Sequence, residues 1–145
     1  MFIKQLSVFI ENRKGRLEQV TAELTANNIN IIALSLADTN EYGLLRMIVS
    51  DPVAAKDTLC GRGFSAMLTD VLAVRMQNKP GQLYHMLSVF SGADLNVEYM
   101  YVLDSSAEYG SMVVKVTNAE KAPDIIKSGG LELFDEKAVY SIVHK

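Results

Sequence analysis

Apolar positions from Ile3 to Ile10 form a strand-length run that ends at Asn12, where a polar turn containing Gly15 takes over. Beyond the turn, Leu17, Val20 and Leu24 recur at helical spacing until Asn27-Asn28 breaks the pattern. Ile29 to Leu36 is a second strand-length run, stopped by Asp38-Thr39-Asn40-Glu41, and Leu44 to Val49 reads as a third strand. Asp51 and Pro52 then offer an N-cap and a first-turn proline to a short helix that carries Ala55 and Leu59 and ends at Gly61 and Gly63. A fourth strand begins near Phe64. The order is βαββαβ.

The same pattern is then repeated. Asn12-Arg13-Lys14-Gly15-Arg16-Leu17 returns 66 residues later as Asn78-Lys79-Pro80-Gly81-Gln82-Leu83, and at the same offset Asn30-Ile31 meets Asn96-Val97 and Asp38 meets Asp104. One extra residue, placed near Glu108, shifts the offset to 67, which aligns Tyr42-Gly43 with Tyr109-Gly110, Val49 with Val116 and Gly63 with Gly130. The second copy is thereby expected to contain strand 71–77, turn 78–81, helix 82–92 with Leu83, Met86, Leu87 and Phe90 facing inward, strands 96–103 and 110–117, and helix 119–128 capped by Asn118. Two copies make a duplication, since stacked arrays need about three units or more to bury a continuous core.

The predicted fold class is therefore α+β, with two ferredoxin-like βαββαβ units over residues 1–70 and 71–145, each an antiparallel sheet with helices on one face. Ile31-Ile32-Ala33-Leu34 and Tyr99-Met100-Tyr101-Val102 are apolar on both sides of their strands, so the second face of each sheet is expected to be covered, by the other copy or by a second chain in a homodimer. Val139 to Val143 aligns with Leu72 to Met76 and is expected to be a closing strand.

Composition narrows the function classes. Hydrophobic residues make up 49% of the 145 residues and charged residues 21%, the profile of a packed domain. The net charge of −3 is spread evenly over the two halves, so the chain lacks the basic footprint of a nucleic-acid binder. A single cysteine, Cys60, excludes an internal disulfide, no cluster suggests a metal or cofactor, and a cytoplasmic setting fits. The first residues lack a signal-peptide pattern, and no apolar run approaches the ~18 residues of a membrane span.

The chemistry-bearing residues do not converge on catalysis. No Ser/His/Asp, Cys/His or paired-carboxylate set repeats or clusters, so the expectation is a protein that is not an enzyme. His85 on the third helix and Cys60 at a helix end read as surface and packing residues, Arg13 as a solvated charge, and Tyr99 and Tyr101 as strand packing.

A βαββαβ unit with an Asn-basic-x-Gly-x-Leu turn after its first strand and an Asn-Ile or Asn-Val entering its second strand resembles the ACT domain family, and the likeness covers both halves. It implies a stand-alone tandem ACT protein: a non-catalytic, allosteric regulatory sensor that binds a small molecule, a free amino acid, at the interface of ACT domains and acts on a regulated enzyme partner. The turn residues Asn12, Lys14, Gly15, Arg16 and Leu17, and Asn78, Lys79, Pro80, Gly81, Gln82 and Leu83, are expected to hold the carboxylate at a helix N-terminus, whose unpaired N–H groups and partial positive charge suit it. The resemblance places Asn30, Ile31, Asn96 and Val97 opposite, toward the amino group. Two other readings remain open: an interaction or assembly module without a ligand, and an RNA-binding module of RRM-like topology. The latter needs aromatics on the third strand, and Leu44 to Val49 and Ser111 to Val116 contain none.

Overall fold

The computed structural model describes residues 2–11, 13–38 and 41–142, so Asn12, Thr39, Asn40, Val143 and His144 lie outside the described residues. The chain divides into two compact units, one built on Lys4–Thr69 with the chain from Tyr140 onward, the other on Asp70–Val139 with the first residues through Ile3.

In the first unit, β1 (Ile3–Glu11), α1 (Arg16–Ala26), β2 (Ile31–Asp38), β3 (Tyr42–Val49) and α2 (Pro52–Gly61) lead into β4 (Ser65–Gln77), which continues into the second unit. There α3 (Gln82–Gly92), β5 (Val97–Ser105), β6 (Tyr109–Val116), a single 3-10 turn at Ala119–Lys121, α4 (Ala122–Ser128), β7 (Glu132–Leu133) and α5 (Glu136–Tyr140) follow. Each unit is a ferredoxin-like α+β fold.

The pairings of β3 with β1 and β2, and of β6 with β4 and β5, are antiparallel, and those of β1 and β4 keep the repeat's register. Leu6 pairs with Met47 and Glu11 with Tyr42 between β1 and β3, while Leu72 pairs with Val114 and Gln77 with Tyr109 between β4 and β6. Alternation then sorts the side chains. Leu6, Val8, Ile10, Leu45, Met47 and Val49 pack with Val20 and Leu24 of α1 and Ala55 and Leu59 of α2, and Leu72, Val74, Val114 and Val116 pack with Met86 and Phe90 of α3 and Ile126 of α4. On the opposite face of the first sheet, Gln5 and Ser7 are buried and bonded to each other, the Gln5 amide Nε2 donating to Ser7 Oγ at 3.1 Å.

Several elements differ from the sequence expectation. Leu83 and Leu87 stand at the margin of the α3 packing face and remain exposed, whereas Met86 and Phe90 are buried. Asn118 makes no side-chain cap; it adopts a left-handed conformation with φ 52, and its carbonyl accepts from Lys121 N in a tight turn. Residues 136–140 are helix α5, because Asp135 caps the segment, its carboxylate accepting from Ala138 N at 2.8 Å. The two-residue β7 takes the place of the last strand, pairing Leu133 with Val74.

The extra residue of the second copy also sits elsewhere. Both β-hairpin loops hold the same three positions, 39–41 and 106–108, but β2 has 8 residues and β5 has 9. Both strands shift register near their start, between Ile31 and Ala33 and between Val97 and Tyr99; β5 alone shifts again between Val102 and Asp104. The insertion is thus a bulge at Leu103, which moves Asp104 from the Gly110 position, where Asp38 pairs with Gly43, to pair with Ser111.

Asp51 acts as the expected N-cap of α2, its carboxylate accepting from Ala54 N at 3.2 Å. Asp51→Ala should lower unfolding free energy by about 1 kcal/mol, read as a drop in urea midpoint without a change in slope.

Candidate ligand-binding site

The repeated turn has a specific geometry. Arg16 N donates to the Arg13 carbonyl and Gln82 N to the Lys79 carbonyl, each at 3.3 Å, and the third residue of each turn is a glycine in the left-handed region. Gly15 has φ 88 and ψ −9, and Gly81 has φ 89 and ψ −12. These are the requirements of a type II turn, in which proline suits the second position and glycine the third. Lys79-Pro80-Gly81-Gln82 meets both requirements; Arg13-Lys14-Gly15-Arg16 meets the one that matters sterically.

The turn launches a helix whose first amides stay open. His85 N donates to the Gly81 carbonyl, while the amides of Leu83 and Tyr84 have no carbonyl within the helix to reach. Asn78 fixes the turn against the β5–β6 loop, its Nδ2 donating to the Ser106 carbonyl at 2.7 Å and its own N–H to the Glu108 carbonyl at 2.8 Å.

These contacts wall a cavity of about 210 Å³ between the turn, the start of α3 and the ends of β4, β5 and β6. Met76, Leu83, Val102 and Met112 supply its apolar surface; Lys79, Gln82 and Asp104 stand among its polar residues, with Gly110 in the wall. A cationic Lys79 and the open helix amides share this cavity with an anionic Asp104, whose Oδ1 accepts from Ser105 N at 2.9 Å.

Of the sequence-predicted residues, Asn78, Lys79, Gln82 and Leu83 line this cavity, and Pro80 and Gly81 form the turn beside it. Asn96 and Val97 do not join them. They line a separate cleft of about 390 Å³ with Leu87, Phe90, Ser91 and Asp94, at the far end of α3, roughly 16 Å away by helix rise. That cleft meets the negative end of the α3 dipole and contains Asp94, so its polarity suits a cation, but it lies apart from the turn that would hold the carboxylate. Asn30 and Asn96 instead join the second strand to the residue after the third, Asn30 N donating to Ser50 Oγ at 2.9 Å and Asn96 N to Thr117 Oγ1 at 3.0 Å. Ile31 packs against the first unit's core.

In the first unit, Arg16 is engaged within the fold. Its guanidinium lies 4.5 Å from the Phe64 ring centroid and donates to Gln19 Oε1 at 2.7 Å. Lys14 and Leu17 are exposed, and Asn12 lies outside the described residues. His85 is exposed as expected but also lies with its Nε2 within 2.8 Å of the Gly129 carbonyl, and Cys60, expected to pack, is exposed. Among the described residues no group of three or more His, Cys, Asp or Glu could hold a metal ion, and no described helix is long and apolar enough to cross a membrane.

Sequence reasoning missed Asp104, Val102, Met76, Gly110 and Met112. Two of these carried a signal, since Asp38/Asp104 and Gly43/Gly110 recur between the copies.

A strand-launched helix held by a positive-φ glycine, repeated in two βαββαβ units, defines a duplicated ferredoxin-like module. A family model described as an ACT domain pair matches residues 1–143, and the chain belongs to this family. ACT domains are regulatory rather than catalytic domains. Among solved structures, the chain is similar to protein BT0572 from Bacteroides thetaiotaomicron, at 35% identity and TM-score 0.93 over 98% of both chains. It is also similar in fold to the ligand-free regulatory subunit of aspartate kinase from Thermus thermophilus, at 17% identity and TM-score 0.64, covering 87% of this chain and 91% of that one. The corresponding Thermus flavus subunit gives 17% and 0.63, over 88% and 90%. A comparison with curated proteins finds no match.

Neither Gly15 nor Gly81 has a neighbour within 4 Å of an added Cβ, so only backbone strain opposes a side chain. Gly15→Ala and Gly81→Ala should each cost about 1–2 kcal/mol in thermal or urea unfolding. A loss well above that at Gly81 alone would reveal a contact specific to the second copy.

Proposed function

We propose that this chain is a non-catalytic regulatory sensor that binds a free amino acid in the cavity beside the Asn78–Gly81 turn and conveys its occupancy to an enzyme partner. The observation that carries this reading is the polarity of the cavity. A zwitterion fits it with the carboxylate toward Lys79 and the amides of Leu83 and Tyr84, and the ammonium toward Asp104. Membership of the ACT family supports the regulatory role, and the fold shared with aspartate kinase regulatory subunits supports an enzyme as the partner.

Thermal shift of the purified protein against the twenty amino acids, with nucleotides and organic acids as contrast, tests the reading. An amino acid at a hundred times its Kd should add about 2.7 kcal/mol of stability. Asp104→Asn should then weaken binding by about tenfold or more, because the ammonium loses its charged acceptor. Silence across the amino acids, or a response to nucleotides alone, contradicts the proposal and favours an assembly module.

A further inference from the structure

The two copies repeat the turn but differ in what stands over the third-strand glycine. In the first unit a Cβ built on Gly43 would lie 3.3 Å from Ile10 Cγ1 and 3.3 Å from Leu36 Cδ1, so these two side chains meet above the glycine. Ile10 is almost fully buried there, at 5% exposure. In the second unit the same repeat positions are Met76, Val102 and Gly110, and nothing lies within 4 Å of a Cβ on Gly110. Met76, Val102 and Gly110 line the cavity of the second unit, whereas at those positions of the first unit Ile10 and the half-exposed Leu36 come together over Gly43.

The difference follows from the residues. Leucine reaches one carbon beyond valine, and β-branched isoleucine holds a fixed rotamer over the glycine, whereas Met76 is unbranched and can lie aside. The bulge at Leu103 adds a second cause: it lies in the strand that carries Val102 and displaces Asp104 by one pairing position. A one-residue insertion and two side-chain changes thus leave open space over Gly110, where Ile10 and Leu36 crowd Gly43 among the described residues.

We infer that the chain has one ligand site, in the second unit, and that Ile10 and Leu36 occupy the first unit's equivalent as built-in apolar substitutes for a ligand. The filling side chains also name the ligand class. What completes the surface of Met76, Leu83, Val102 and Met112 is an aliphatic group, so the amino acid has a side chain of leucine or methionine type. This inference rests on the amino-acid reading of the cavity and adds to it a stoichiometry and a side-chain class.

Isothermal titration calorimetry of the full chain with L-leucine and L-methionine, with glycine and L-glutamate as contrasts, tests both additions. The wild type should bind one aliphatic amino acid per chain. Met76→Ile/Val102→Leu gives the second copy the residues of the first and should weaken binding by about tenfold or more. The reciprocal Ile10→Met/Leu36→Val should raise the stoichiometry toward two. Both exchanges use residues already tolerated at the equivalent position and conserve volume closely enough to fold, which circular dichroism checks. Two equal sites in the wild type, or unchanged affinity in the folded Met76→Ile/Val102→Leu chain, overturns the single-site inference while leaving an amino-acid sensor standing. Preference for glycine or glutamate overturns the side-chain class alone. Absence of binding by every amino acid overturns the functional reading and this inference with it.

Discussion

The left-handed glycine at the end of each first strand is the constraint on which the rest depends. An L-residue with a Cβ pays about 1–2 kcal/mol to hold φ near 90°, so only glycine lets the chain reverse within one turn and enter a helix immediately. At Gly15 and Gly81 that turn sets the helix start beside the strand end, turns Val20 and Leu24 or Met86 and Phe90 onto the sheet, and leaves amides open at the same corner. Core packing and the open amides both follow from it.

Duplication copies such a corner without obliging both copies to keep the same use. The strand register around the turn is the same in the two units, Glu11 opposite Tyr42 and Gln77 opposite Tyr109, so the frame is held by backbone pairing and not by the residues within it. Side chains inside the frame can then change cheaply. Ile10 and Leu36 meet over Gly43 in one unit, whereas Met76, Val102 and the bulge at Leu103 leave space over Gly110 in the other. The second copy thereby has a cavity that both Lys79 and Asp104 line.

How much of this was legible in the sequence follows from what periodicity can encode. The strands, the first three helices and the duplication were plain, because each rests on local spacing or direct recurrence. The C-terminal segment misled, since Val139 to Val143 resembles Leu72 to Met76 in composition while its first two residues belong to helix α5, which Asp135 caps. The extra residue was visible as a change of offset, but an alignment places it in a loop and only strand pairing shows it as a bulge in β5. Around the cavity, the turn residues Asn78, Lys79, Gln82 and Leu83 were readable because the turn's glycine has a steric cause. Asp104 was not, since only the return of β5 brings it to the same cavity, and Asn96 lines another cleft with its N–H bonded to Thr117 Oγ1.

Titration of the isotopically labelled protein with L-leucine, followed by backbone amide NMR, reads the two copies separately in one experiment. A single site in the second unit predicts concerted shifts at Gly81, Leu83, Tyr84, Asp104 and Gly110, with Gly15, Leu17 and Gly43 unmoved. Equal shifts at both sets of glycines, or shifts centred on Asn96 and Val97 instead, would contradict it.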